Sequence, residues 1–130
     1  MNQTVRLVSG VNTLLGGWFV VAPFVFGGTA AVGAGFLFWN HVVVGLGILA
    51  LAASNTWLDY DGDPGRSWAA AGNVVLGLWM AMVPVLAVAL VPTWLFRSDV
   101  VLGLTVAALS GYNAYRLWAA TDDTAVALAT

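Results

Sequence analysis

The sequence predicts an all-α integral membrane protein: four transmembrane helices forming two helical hairpins that repeat in the same orientation. Three observations lead there. The 130 residues are 61% hydrophobic and only 8% charged, with mean hydropathy +0.90. A globular domain in water carries about 25% charged residues, so this much apolar surface needs a bilayer as its solvent. Four apolar segments are each long enough to cross roughly 30 Å of hydrocarbon, which takes about 20 helical residues. Finally, motifs of the first half return in the second half at a nearly constant offset.

The first span is expected at about 5–26, from the start "MNQTVRLVSGVNTLLGG". A secretory signal would have a short apolar core and a small-residue cleavage site, whereas this run continues past Pro23, so a retained helix is expected. The break "GGTAAVGA" separates it from a second span at 35–56. The polar turn "WLDYDGDPGRS", with Pro64 between Gly62 and Gly65, stops any helix and gives an inner loop over 57–67. The third span follows at 68–90, and "VPTWLFRS" separates it from the fourth at 99–119. The tail "TDDTAVALAT" is expected to fray. The whole is read as one membrane domain, 1–130, with repeat one at about 5–56 and repeat two at about 68–119.

Four spans put both termini and the middle loop on one side. Arg6, Arg66 and Arg116 fall there and only Arg97 falls opposite, so the positive-inside rule predicts cytoplasmic termini. Trp39, Trp57, Trp68, Trp94 and Trp118 lie at span ends, the headgroup layer that an indole prefers because it is apolar with one N–H to satisfy. Trp18 and Trp79 lie inside spans, and comparing their surroundings exposes the duplication. "NTLLGGWFVVAP" from Asn12 matches "NVVLGLWMAMVP" from Asn73 at an offset of 61, and "HVVVGLG" from His41 matches "DVVLGLT" from Asp99 at an offset of 58. Asn55 and Asn113 keep the second offset. Two spans per unit relate the copies by an axis along the membrane normal.

These motifs resemble the SPW-repeat membrane proteins of archaea and bacteria: Gly-x-Trp, a proline a few residues on, and Trp39-Asn40 before "VVVGLG". The resemblance is close over about 12–56 and looser over 73–115. Where the family name has Ser-Pro-Trp, this chain has Ala22-Pro23-Phe24 and Val83-Pro84-Val85, and Arg97-Ser98 replaces Trp-Asn in the second copy. The resemblance implies a paired-hairpin membrane fold and no particular activity.

Several chemistries are disfavoured by composition. There is no cysteine, which removes disulfides and thiolate sites. The net charge of −2, without a clustered basic patch, does not suit nucleic acid. Every cation is arginine and every anion aspartate, a usage that salt-adapted archaea and other GC-rich organisms favour. No nucleophile–base pair or nucleotide loop is recognisable, and no cofactor or resident metal is expected.

The remaining candidates are structural or interaction residues. Pro23 and Pro84 free the carbonyls of Phe19 and Met80, which in lipid need donors from neighbours; the indoles of Trp18 and Trp79 lie near and are expected to reach the partner hairpin. Asn12, Asn55, Asn73 and Asn113, in the inner halves of spans, suit an interhelical clasp or, alternatively, a polar path for an ion. Asn40 and Ser98 read as N-caps ahead of His41 and Asp99, the only histidine and its repeat counterpart. These two are expected to meet at the outer mouth with Arg97 nearby. Asp59, Asp61 and Asp63 alternate like the start of a calcium loop, but Pro64 and Ala70 stand where that motif has Gly and Glu, so a solvated turn is expected. Gly103, Ala107 and Gly111 form a small-residue stripe for close helix approach, either within the chain or to a partner. The expected role is a structural or accessory subunit without catalysis, meeting the bilayer and itself or another membrane protein. A small channel or transporter, or a quinone- or haem-binding subunit, is the alternative.

Overall fold

The computed structural model describes residues 3–25, 35–57, 64–86 and 93–129. They form four helices: α1 (Gln3–Val25), α2 (Phe36–Trp57), α3 (Pro64–Leu86) and α4 (Thr93–Ala129). All four have stretches long and apolar enough to cross a membrane, so the chain is a four-span, all-α membrane protein. Below, "inner" denotes the end of the bundle that carries the N-terminus. The segments "GGTAAVGA" and Asp59, Asp61 and Asp63 lie outside the described residues, so the calcium-loop pattern is not placed.

The helices pack through one regular stripe each. Along α1 the buried stripe runs through 5, 9, 12, 16, 19 and 23, with Ala22 beside it; along α3 it includes 70, 73, 77, 80 and 84. Alternating steps of three and four are the 3.5-residue repeat that keeps one face on its neighbours in a left-handed bundle. α2 buries 37, 41, 45, 48, 52 and 55, and α4 buries 95, 99, 103, 106, 110 and 113. Adding 58 to the first set gives the second, and adding 61 carries the α1 positions 9, 12, 16, 19 and 23 onto those of α3. The offsets read from the sequence therefore also relate the buried faces.

Glycine sets the spacing within each hairpin. A Cβ built on Gly77 would lie 2.7 Å from Ala107 N and from Gly103 O, and one on Gly103 would lie 2.7 Å from Ala81 N and from Gly77 O. In the first hairpin, a Cβ on Gly16 would lie 2.7 Å from Leu49 N and 3.0 Å from Gly45 O. Backbones this close leave no room for a side chain, so the paired glycines fix the register of α1 on α2 and of α3 on α4.

Two helix starts, those of α3 and α4, differ from the sequence expectation, while that of α2 agrees with it. α2 starts directly after Gly35, whose φ of +76° suits a residue without Cβ and lets the chain turn into the helix. α4 begins at Thr93, not at 99, because Trp94-Leu95-Phe96 contains nothing to break a helix. α3 begins at Pro64, not at 68: proline is favoured at the first helical position, where its missing N–H has no intrahelical partner. The tail also departs from expectation, since α4 runs 37 residues to Ala129. No Gly or Pro occurs after Gly111 to stop it, and it extends beyond its candidate span, Thr93–Ala119.

At the core, Phe19, Ile48, Met80 and Val106, one from each helix, form an apolar layer with 0–1% exposure. A second apolar cluster, Leu37, Val83 and Leu95, lies near the outer end. The buried polar side chains occupy what is left, between these two clusters and on the inner side of the first.

Candidate functional site

The outer polar layer is built on α2, α3 and α4. His41 and Asp99 are both 2% exposed, and His41 Nε2 lies 2.8 Å from Asp99 Oδ2. The two side chains therefore meet, as the repeat placed them, but neither follows a cap. Asn40 and His41 lie in the second turn of α2, and Ser98 and Asp99 lie in the second turn of α4. The N-cap reading fails because α2 already starts at Phe36 and α4 at Thr93, so Asn40 and Ser98 lie inside helices. Nor is the pair at an open mouth. His41 is five residues into α2, about 8 Å along the axis, with Leu37 and Leu95 outside it. Arg97 is exposed.

The geometry restricts where protons reside. His41 Nδ1 lies 2.9 Å from the Leu37 carbonyl, which can only accept, so Nδ1 carries a hydrogen. The contact between Nε2 and Oδ2 then holds one more proton, on the ring or on the carboxyl. Either way the pair is neutral overall, which makes its burial between apolar layers tolerable.

Beside it, Trp79 Nε1 donates to Asn40 Oδ1 at 2.7 Å, and Asn40 Nδ2 donates to Met80 Sδ at 3.5 Å. The indole of Trp79 thus reaches the other hairpin. Both Trp18 and Trp79 remain about two-fifths exposed, at 37% and 38%, with their rings at the edge of the bundle. Pro23 and Pro84 are buried inside α1 and α3.

The inner polar region consists of two layers. The glycine contacts set Gly16 against Gly45 and Gly77 against Gly103 and Ala107. One turn further in, Asn12 and Asn73 come to one depth, with Ala52 and Ser110 between them. Another turn in lie Ser9, Asn55, Ala70 and Asn113. Each of these residues is 1–2% exposed. Asn12 Nδ2 donates to Ser110 Oγ at 2.8 Å, while Asn113 Nδ2 donates to Ser9 Oγ at 2.8 Å and to the Val5 carbonyl at 3.2 Å. On the opposite interface, Asn73 Nδ2 donates to the Ile48 carbonyl at 3.3 Å. The carboxamide oxygens of Asn12, Asn73 and Asn113 accept no hydrogen bond among the described residues.

Ser9 and Ser110 were missed in the sequence reading. Their signal is "SGVN" at 9–12 and "SGYN" at 110–113: each serine precedes an asparagine by three, and antiparallel packing joins each asparagine to the opposite serine. The repeat offsets carry these serines to Ala70 and Ala52, which is why alignment of the copies hides them.

The small-residue stripe divides. Gly103 and Ala107 pack against Gly77 and Ala81 of α3, inside the chain. Gly111 faces an open groove with Ala71, Val74, Ala114, Tyr115 and Trp118. Trp39 is 61% exposed and Trp68 67%, as expected of interface anchors, and the Trp68 and Trp118 rings meet edge to face at 5.9 Å between centroids. Among the described residues, no group of three or more His, Cys, Asp or Glu is placed to hold a metal ion.

The SPW repeat domain family model matches residues 6–121 of the chain. No curated protein and no solved structure matches it.

Proposed function

The chain belongs to the SPW repeat domain family, and we propose that it acts as a small structural or accessory subunit of a membrane assembly, without catalysis of its own. The observation that carries this reading is the apolar layer of Phe19, Ile48, Met80 and Val106. All four are at most 1% exposed, and they separate the inner polar layers from the outer one. A core held together by polar contacts above and below a dry layer is built to stay closed. Partners meet such a molecule through lipid-facing side chains such as Leu14, Val43 and Val101, which are 61–75% exposed. The arginine bias supports an orientation with both termini in the cytoplasm.

A channel or transporter reading draws on the two polar regions lying along one bundle, but it requires that apolar layer to part. The test is gentle extraction from the native membrane, followed by the mass and composition of the intact particle. A homo-oligomer or an assembly with other chains agrees with the proposal. A monomer that moves ions or solutes across vesicles contradicts it.

A further inference from the structure

We propose that the inner polar layers form a binding site for one dehydrated monovalent alkali cation, coordinated by the carboxamide oxygens of Asn12, Asn73 and Asn113. This goes beyond the accessory role and does not depend on it.

The inner layers carry an imbalance of donors and acceptors. The Nδ2 groups of these three side chains are engaged, on Ser110 Oγ, on the Ile48 carbonyl, and on Ser9 Oγ with the Val5 carbonyl. Their oxygens are left without a donor among the described residues, at 1–2% exposure. A buried acceptor left unmet costs about 1–3 kcal/mol, and here three residues from three helices share that state within two adjacent turns. The surplus is of one sign: among the described residues, the buried side-chain polar atoms without a partner are amide oxygens. A water molecule offers hydrogens but also brings lone pairs that need donors. A cation offers only positive charge, which is what a surplus of acceptors can satisfy.

The chemistry of the oxygens selects the class of ion. The layers hold carboxamides, serine hydroxyls and alanines and carry no formal charge. Neutral oxygens in a low-dielectric setting suit a singly charged ion, as the carbonyl rings of potassium filters do. Divalent ions bind through carboxylates, and magnesium gives up its water reluctantly. Ser9 Oγ and Ser110 Oγ, each already 2.8 Å from an asparagine of the set, supply one further oxygen in each of the two layers.

The test is thermal unfolding of the full-length chain in lipid nanodiscs, in sodium, potassium or N-methylglucamine chloride at one ionic strength. Tm is expected to rise with the logarithm of sodium or potassium concentration, by about 5 °C for each tenfold increase above the dissociation constant; whichever cation acts at lower concentration is the preferred ion. Asn73→Ala should abolish the dependence and Asn40→Ala, in the outer layer, should preserve it. If Asn73→Ala does not fold, Ser110→Ala serves instead and should shift the dependence to higher concentration. Equal Tm in all three salts overturns the proposal, as does a cation effect that survives in Asn73→Ala.

Discussion

The outer and inner polar regions of this bundle solve the same problem differently. Both put amide or ionisable side chains into a core surrounded by lipid, where each unmet group is costly. In the outer region the described partners match: His41 holds Asp99 and the Leu37 carbonyl, while Asn40 receives the Trp79 indole and donates to Met80. In the inner region the asparagine donors are used while the oxygens of Asn12, Asn73 and Asn113 are not. The outer layer is closed and joins the hairpins through the proton shared by His41 and Asp99; the inner layer joins them through amide donors and keeps acceptors in reserve. Polar residues in a membrane core are therefore better read by the balance of donors and acceptors than by their number.

The largest expected effect breaks the closed layer. Asp99→Ala leaves the His41 imidazole buried with no carboxylate opposite, and should cost about 3–5 kcal/mol, measured by reversible unfolding in mixed micelles. The double variant His41→Leu, Asp99→Leu should recover most of that loss, because an apolar pair of similar volume replaces a neutralised polar one. Recovery would establish the pair as a structural pin without chemistry that the fold requires.

A second experiment separates packing from polarity. Gly77→Val puts a side chain where a single Cβ already meets backbone at 2.7 Å, and should cost about 1–3 kcal/mol or more. Gly10, whose added Cβ meets nothing within 4 Å, is the control: Gly10→Ala should be neutral or stabilising by up to about 1 kcal/mol. Both follow from unfolding midpoints.

The inner layer gives smaller, graded effects. Ser110→Ala removes the acceptor of Asn12 Nδ2 and should cost about 1 kcal/mol. Ser9→Ala should cost less, since Asn113 Nδ2 retains the Val5 carbonyl. The same unfolding assay decides their order; the reverse order would mean that the serines are not the main acceptors. Smallest of all, Trp39→Ala, at a side chain 61% exposed, should change stability by less than about 0.5 kcal/mol.

The sequence carried much of this arrangement, for identifiable reasons. Apolar runs of the right length and two constant offsets predict the four helices, and the second offset by itself makes His41 the counterpart of Asp99. What it hid depends on three-dimensional register. The start of α4 at Thr93 is one such feature: Asn40 and Ser98 have the side chains of caps, yet both lie in the second turn of their helices. The serine partners of Asn12 and Asn113 follow from antiparallel contact between α1 and α4, which no comparison of the two copies reveals. The stripe Gly103-Ala107-Gly111 was visible, but its internal partner became clear only when Gly77 and Ala81 were seen against it. The spare acceptors are a property of packing alone, since the four asparagines look alike in sequence.

The central claim is that the apolar layer of Phe19, Ile48, Met80 and Val106 keeps the two polar regions apart. The most direct measurement is sodium, potassium and proton flux in lipid vesicles containing the purified chain. The account predicts that gradients persist as long as in protein-free vesicles. A leak proportional to the amount of protein, and altered by substitution at Met80, would contradict it.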